Sequence, residues 1–174
     1  MAVATRTTME TFLATPDFDE RRLELIDGEV FEKTMPTWEH GRYALRLGSA
    51  LDAVGVASVE PRAIIPASPS FDASSPLPDV AFYRDTPPAR GEWMTRPPHV
   101  AIEIMSRGQT RRDMRTKVEL YLAFGVESIW IVDPRTESVE IYEGGSRRVL
   151  AGEEVIATAS APGFAMSVAD LFRA

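Results

Sequence analysis

The sequence predicts an α/β domain in which a helix, three strands, a second helix and a strand follow one another. A hairpin precedes this core and further strands follow it. Two segments carry apolar residues at helical spacing, several short apolar runs are bounded by proline-rich or glycine-containing loops, and one Asp-Gly pair separates two alternating runs. Because no repeat or clear boundary divides the chain, we expect residues 1–174 to form one domain.

The first half of the chain is predicted to begin with a short helix over Thr8–Leu13. Residues 22–33 are arranged around Asp27-Gly28, a dipeptide suited to a type I′ turn, and predict a hairpin. A helix is predicted from Thr37 to about Val54, because a threonine is a favourable N-cap for the amphipathic segment that follows it. A strand is predicted over Val56–Ile65.

The second half contains the two most apolar strands and a long helix. Residues 78–83 predict a short strand that begins at a proline, where a missing donor is tolerated. Residues 100–105 predict a buried strand, and a helix is predicted over Thr110–Phe124, with Gly125 ending it. The remaining predicted elements are strands at 128–132, 139–142, 147–150 and 155–159 and a closing helix at 167–172.

Composition excludes several classes of site. With no cysteine in the chain, disulfides, thiolate zinc sites and thiol nucleophiles are excluded, which fits the cytoplasmic location that we expect. No run approaches the roughly 18 apolar residues of a membrane span. With only 2 histidines, a protein-bound metal is expected to be an oxygen-ligated ion such as Mg²⁺ or Mn²⁺. The net charge of −7 has the wrong sign for general nucleic-acid affinity.

Two charged residues fall where apolar packing is predicted. Glu103 interrupts the apolar strand, and Lys117 lies inside the apolar arc of the following helix. Opposite charges aimed at one interior indicate either an internal ion pair or a functional site. Asp113, four residues before Lys117, offers a third interpretation, an ordinary helix salt bridge, but that would leave Glu103 without a partner.

A second acid strengthens the interpretation as a site. Asp79 begins the strand that precedes the Glu103 strand, so neighbouring strands would bring both carboxylates to one end of the sheet. Such a pair repels itself, and a divalent cation relieves the repulsion. With Lys117 orienting or deprotonating a water, this set of groups suits phosphodiester hydrolysis.

With these residues in this order, the sequence resembles the Uma-type restriction endonuclease family of the PD-(D/E)XK nuclease superfamily. The resemblance covers nearly the whole chain. The segments that carry it are ELIDGE (24–29), His40 at a helix start, PDVAF (78–82), VAIEIMS (100–106), DMRTKVELYLAFGV (113–126) and IWIVDP (129–134). The resemblance implies a restriction-endonuclease-like mixed sheet flanked by helices and Mg²⁺ as cofactor.

Matched to that family, Asp79 and Glu103 are implied to be the catalytic acids and metal ligands. The lysine that the superfamily carries two residues after the second acid is Met105 here, and the resemblance implies that Lys117 replaces it. Glu24 and His40 are supporting candidates, although His40 is also explained as a packing or helix-terminal residue. Gln109 and Asp113 complete the supporting set.

The sequence therefore predicts a Mg²⁺- or Mn²⁺-dependent endonuclease that hydrolyses DNA, with catalytic residues Asp79, Glu103 and Lys117. Since the net charge disfavours DNA binding, we expect a homodimer that joins two basic edges. The alternative is a catalytically inactive interaction module with a nuclease-like core, in which Glu103 and Lys117 form a structural pair. The three tryptophans are expected to be packing residues, and Trp93, in a loop beside Arg90 and Arg96, is the best candidate for an exception that stacks on bases.

Overall fold

A computed structural model of the chain describes residues 6–173. Its four helices are α1 (Met9–Leu13), α2 (Trp38–Asp52), α3 (Arg111–Phe124) and α4 (Val168–Phe172). Its strands are β1 (Leu23–Ile26), β2 (Glu29–Glu32), β3 (Val56–Val59), β4 (Val80–Tyr83), β5 (Val100–Ile104), β6 (Ser128–Asp133), β7 (Ser138–Glu143), β8 (Ser146–Ala151), β9 (Val155–Ile156) and β10 (Met166–Ser167).

The centre of the molecule is a six-stranded mixed sheet with the order β3-β4-β5-β6-β7-β8. Only β5 and β6 are parallel, and α3 connects them, as a parallel crossover requires. The remaining neighbours in this sheet are antiparallel. The predicted fold class and the predicted order of core elements are therefore confirmed.

Strand β5 has both faces buried, and its alternation determines where Glu103 points. Ile102 and Ile104 belong to the apolar cluster formed with α2, whereas Ala101 and Met105 belong to the cluster formed with α3. Because successive side chains of a strand point to opposite faces, Glu103 lies on the α3 side. A carboxylate is thus placed under a helix rather than at the surface.

The β1–β2 hairpin and the start of α2 are formed as predicted. Asp27 and Gly28 have φ values of 50° and 78°, the pair of positive φ angles that a type I′ turn requires. The Thr37 side chain accepts a hydrogen bond from the His40 backbone N–H at 3.3 Å, which places His40 in the first turn of α2.

Two predicted strands are shorter than expected. The strand predicted over Val56–Ile65 ends at Val59, because Glu60 adopts a φ of 50° and Pro61 follows it. The strand predicted at 155–159 covers Val155–Ile156 and pairs with β10 in a separate two-stranded sheet. Within the described residues, no helix combines the length and the apolar character needed to cross a membrane.

Gly55 provides a test of the packing between α2 and the sheet. A Cβ at this position would lie 2.4 Å from Phe82 Cε2 and 2.7 Å from the Tyr83 carbonyl oxygen. We expect Gly55→Ala to lower the free energy of unfolding by about 1–3 kcal/mol, measured by chemical denaturation. Gly41→Ala is the matched control: a Cβ there meets no atom within 4 Å, and removing a helical glycine should raise stability by roughly 0.5–1 kcal/mol. Equal effects of the two changes would contradict this packing.

Candidate functional site

The two acids predicted to form the site lie side by side. Asp79 directly precedes β4, and its backbone N–H donates to the Ile102 carbonyl of β5 at 2.9 Å. Its Oδ2 accepts a hydrogen bond from the Ile104 backbone N–H at 2.6 Å. These two contacts flank Glu103, so the carboxylates meet at one end of adjacent strands. Both residues are buried, with exposed fractions of 0% for Asp79 and 1% for Glu103.

Both oxygens of Glu103 are bound by side chains of α3. The Lys117 ammonium lies 3.0 Å from Oε2, and the Tyr121 hydroxyl donates to Oε1 at 2.7 Å. Lys117 and Tyr121 are four residues apart, so they project from the same face of the helix. Tyr121 is not among the site residues predicted from the sequence, because it fits the apolar arc of α3, and its position one turn after Lys117 is the one local signal of its role.

Glu24 joins this group from β1. Its Oε1 accepts hydrogen bonds from Lys117 Nζ at 2.9 Å and from the Leu77 backbone N–H at 2.7 Å. Lys117 therefore bridges two buried carboxylates, Glu24 and Glu103, from two different strands. The hairpin is tied to α3 and to the central sheet through this one ammonium.

Asp113 and Gln109 have local roles at the start of α3. Asp113 accepts hydrogen bonds from the Thr110 backbone N–H at 2.7 Å and from its hydroxyl at 2.8 Å, which completes a capping box. Gln109 Oε1 accepts from the Ser106 backbone N–H at 2.8 Å. Since the ionic partners of Lys117 among the described residues are Glu24 and Glu103, the interpretation of Asp113–Lys117 as a salt bridge is wrong.

His40 is a neighbour of Asp79. Its Nε2 lies 3.0 Å from Asp79 Oδ1, and its Nδ1 lies 3.4 Å from the Ser106 hydroxyl oxygen. The ring is buried, with an exposed fraction of 7%. The packing explanation for His40 is therefore incomplete, because the ring contacts one of the predicted catalytic acids.

Lys33 is a second site residue that was not predicted from the sequence. It follows β2 directly, and its ammonium lies 2.6 Å from Asp79 Oδ1 and donates to the Leu77 carbonyl at 2.5 Å. One feature of the sequence could have found it. Among 19 lysines and arginines, the chain has two lysines, Lys33 and Lys117, and both are buried against site carboxylates.

The charges of this cluster do not balance. Three buried carboxylates (Glu24, Asp79 and Glu103) face two ammoniums (Lys33 and Lys117). Burial raises the pKa of Glu103 above its ordinary value, and repulsion from Asp79 and Glu24 acts in the same direction, against the attraction of both lysines. Among these five groups the acids outnumber the amines by one, and a further positive charge, from a bound cation or from a protonated His40 beside Asp79, would balance them.

The other two carboxylates have lowered pKa values. Burial alone would raise the pKa of Asp79, but Lys33 and His40 together hold it below its ordinary value. The pKa of Glu24 is also lowered, since Lys117, Lys33 and the Leu77 N–H outweigh the effect of burial. Burial alone would lower the pKa of Lys117, but the Glu103 and Glu24 carboxylates outweigh this effect and raise it. Lys117 is therefore a cation at neutral pH.

The donor atoms suit a hard divalent cation. Carboxylate oxygens are the ligands that Mg²⁺ and Mn²⁺ prefer, and Asp79 and Glu103 present them from adjacent strands with an excess of negative charge nearby. A ligand atom of Asp79 also lies within 4.8 Å of one from His40 and one from Glu60, which is itself partly exposed. Asp79 thus belongs to two groups of potential ligands, one with Glu103 and one with His40 and Glu60.

The cluster is reached through a cleft of about 640 Å³ between the β1–β2 hairpin and α3. Glu24, Lys33 and Lys117 contribute to its walls. A second depression, of about 290 Å³, reaches His40 from the start of α2. The two cavities therefore reach residues that contact the buried carboxylates, Lys33 and Lys117 on one side and His40 on the other, whereas Asp79 and Glu103 themselves line neither cavity.

The overall fold is shared with a protein of known structure. The structure superimposes with a TM-score of 0.80 on a crystal structure described as "a putative nuclease belonging to DUF820 from Anabaena variabilis ATCC 29413". The two chains are 23% identical, and the match covers 95% of this chain and 97% of the other.

The chain belongs to the Uma2 family, described as "Putative restriction endonuclease", whose model matches residues 9–169. The family predicted from the sequence motifs is therefore confirmed. Among curated proteins, none is similar enough to this chain to count as a relative.

Replacing Lys117 tests how tightly the cluster is coupled. We expect Lys117→Met to lower the free energy of unfolding by about 3–5 kcal/mol, since it leaves two buried carboxylates without their shared cation. Arg115→Met is the control, because Arg115 is an exposed cation on the same helix, and it should change stability by about 0.5 kcal/mol or less.

A double-mutant cycle completes this test. In Lys117→Met with Glu103→Gln, one of the stranded charges is removed, and the combined loss should be smaller than the sum of the two single losses. Chemical denaturation of the four proteins measures the difference. Strictly additive losses would show that Lys117 and Glu103 are not energetically coupled.

Proposed function

We propose that the protein is a Mg²⁺- or Mn²⁺-dependent endonuclease that hydrolyses DNA phosphodiester bonds. The observation that carries the proposal is the meeting of three side chains from separate segments, Asp79, Glu103 and Lys117, in one buried pocket open to a cleft. Membership of a family described as "Putative restriction endonuclease" and a fold shared with a structure described as "a putative nuclease" support the same activity.

In this proposal Asp79 and Glu103 would hold the metal ion. When bound, such an ion polarises a phosphate oxygen and lowers the pKa of a bound water. The neighbouring residues hold the two acids in place: the Ile104 N–H and His40 orient Asp79, and Tyr121 orients Glu103. These contacts fix the orientation of each carboxylate, as a preorganised site requires.

Hydrolysis forms one phosphorus–oxygen bond, from water, and breaks the ester bond on the opposite side. Lys117 is buried between carboxylates that keep it protonated, so it serves as a fixed positive charge for the developing phosphorane oxygens and does not act as a base. Because Glu103 is assigned to the metal ion, the proton of the attacking water passes to solvent in the cleft.

DNA is proposed as the substrate despite the negative net charge. The depression at His40 is lined by Arg107 and Arg135, which are placed to contact phosphates next to the site. Trp38 and Met35, near the start of α2, are 78% and 80% exposed, so the expectation that Trp38 is a packing residue is wrong. Exposed aromatic and apolar side chains offer surfaces on which bases stack, a contribution that does not depend on charge.

Two further parts of the proposal concern the setting of the reaction. We expect a homodimer, because a second copy would bring a second set of arginines to the same DNA and raise the affinity of an acidic protein. We also expect the protein to act in the cytoplasm.

An inactive interaction module remains the second candidate. The observation that favours it is that Glu24, Asp79 and Glu103 all have bonding partners within the chain, as a purely structural tie would require. The two candidates differ in one measurable property, since a structural tie predicts no metal-dependent cleavage.

Plasmid nicking in the presence of Mg²⁺ or Mn²⁺ tests the proposal. We expect Asp79→Asn and Glu103→Gln each to slow nicking on the order of 100-fold or more, because each removes a charge that the metal or the transition state needs. Glu153→Gln is the control. Glu153 is an exposed acid in the turn between β8 and β9, and this variant should nick at the wild-type rate. Absence of metal-dependent nicking by the folded wild type, or equal rates for all variants, would favour the interaction module.

A further inference from the structure

The Lys33 ammonium contacts one of the two Asp79 oxygen atoms that could bind a metal ion. Its ammonium lies 2.6 Å from Asp79 Oδ1, and the same oxygen lies 3.0 Å from His40 Nε2. The other oxygen, Oδ2, accepts the Ile104 N–H at 2.6 Å. A carboxylate has about four lone-pair directions, and three of them are already in use here.

The Lys33 ammonium is bound by oxygen atoms, as a metal ion in this position would be. Besides Asp79 Oδ1 it contacts a backbone carbonyl oxygen, that of Leu77, at 2.5 Å. Its side chain is 6% exposed, and it lowers the pKa values of Glu24 and Asp79 through its charge. Lys33 thus supplies positive charge at a point where two oxygen atoms converge.

A divalent ion cannot bind Asp79 Oδ1 while the ammonium keeps this position. Two cations on one carboxylate oxygen would lie within a few ångströms of each other in a site shielded from water, where their repulsion is only weakly screened. An ion that binds Oδ1 therefore requires the lysine to move.

We propose that the Lys33 ammonium is a built-in competitor for the cation site on Asp79, and that a divalent ion binds there by displacing it into the cleft. This inference rests on the metal site of the proposed function. It assigns Lys33 as a positioning residue: it preserves the geometry of Asp79 before the ion arrives and sets the ion concentration at which the site fills.

The fold allows the displacement. The Lys33 backbone is fixed, because its N–H donates to the Arg22 carbonyl at 3.1 Å. Its side chain contributes to the wall of the cleft between the β1–β2 hairpin and α3. A lysine has four rotatable bonds and a strongly hydrated ammonium, so rotation toward the solvent of the cleft requires no movement of β2. The displaced ammonium would then lie where a phosphate enters.

Lysine labelling reports the displacement directly. The chain has two lysines, so modification by reductive methylation, followed by peptide mass spectrometry, distinguishes Lys33 from Lys117 and from the terminal amine. We expect both lysines to be protected in the metal-free protein. With saturating Mn²⁺, the rate at Lys33 should rise at least tenfold while Lys117, the internal control, stays protected. An unchanged rate at Lys33 in protein that has bound Mn²⁺ through Asp79 would overturn the inference.

Metal affinity supplies an independent readout. By calorimetric titration, Lys33→Met should bind Mn²⁺ at least tenfold more tightly than the wild type. Arg112→Met removes the same charge from the wall of the same cleft without touching Asp79, and should change the affinity less than threefold. If both changes have equal effects, the competition is only long-range electrostatics and the inference fails. If Lys33→Met does not fold, Lys33→Gln, which can still donate to the Leu77 carbonyl, takes its place.

The two proposals fail in different ways. If Asp79→Asn abolishes Mn²⁺ binding but Lys33→Met binds no more tightly than the wild type, the metal site stands and the competitor is rejected. If Lys33→Met binds Mn²⁺ more tightly but the Mn²⁺-loaded wild type nicks no DNA, the competitor stands and the endonuclease activity is rejected. If neither the wild type nor Lys33→Met binds Mn²⁺, both are rejected.

Discussion

The Glu103 carboxylate lies inside the central sheet, on the face that α3 covers, and its burial constrains the surrounding structure. A buried charge is tolerated only with partners, and these partners come from distant parts of the chain. Lys117 and Tyr121 bind its two oxygens from one face of α3, and Lys117 in turn binds Glu24 of the hairpin. One carboxylate and one ammonium thus link α3, the central sheet and β1, beside the apolar packing of α3 and the backbone contacts of β1 with Ser75.

This arrangement links stability to function through charge. A structural ion pair would be expected to balance, yet three carboxylates meet two ammoniums, and burial raises the pKa of Glu103. Lysine is used at these two positions, whereas every other strongly basic residue is an arginine. A compact ammonium can leave a carboxylate more readily than a guanidinium that binds it through two donors. The choice of lysine is thus consistent with a site in which cations exchange.

Sequence reasoning predicted the elements that have strong local determinants. The Asp27-Gly28 turn, the Thr37 cap and the Gly125 stop depend on backbone preferences of single residues, and Glu103 stood out because a charge interrupts an apolar run. Lys33 and Tyr121 could not be placed in this way. Lys33 follows an exposed strand, and Tyr121 fits the apolar arc of α3 equally well. Their roles arise from contacts between segments far apart in the chain, which local patterns do not specify.

The central claim is that the buried acids form a site for a divalent cation. A crystal of the wild-type protein soaked in Mn²⁺ tests it most directly, because the ion can be located by its anomalous scattering. The account predicts one strong peak about 2 Å from a carboxylate oxygen of both Asp79 and Glu103. A protein that crystallises with its fold intact but shows no peak at these residues, or shows Mn²⁺ only at surface acids, would contradict it.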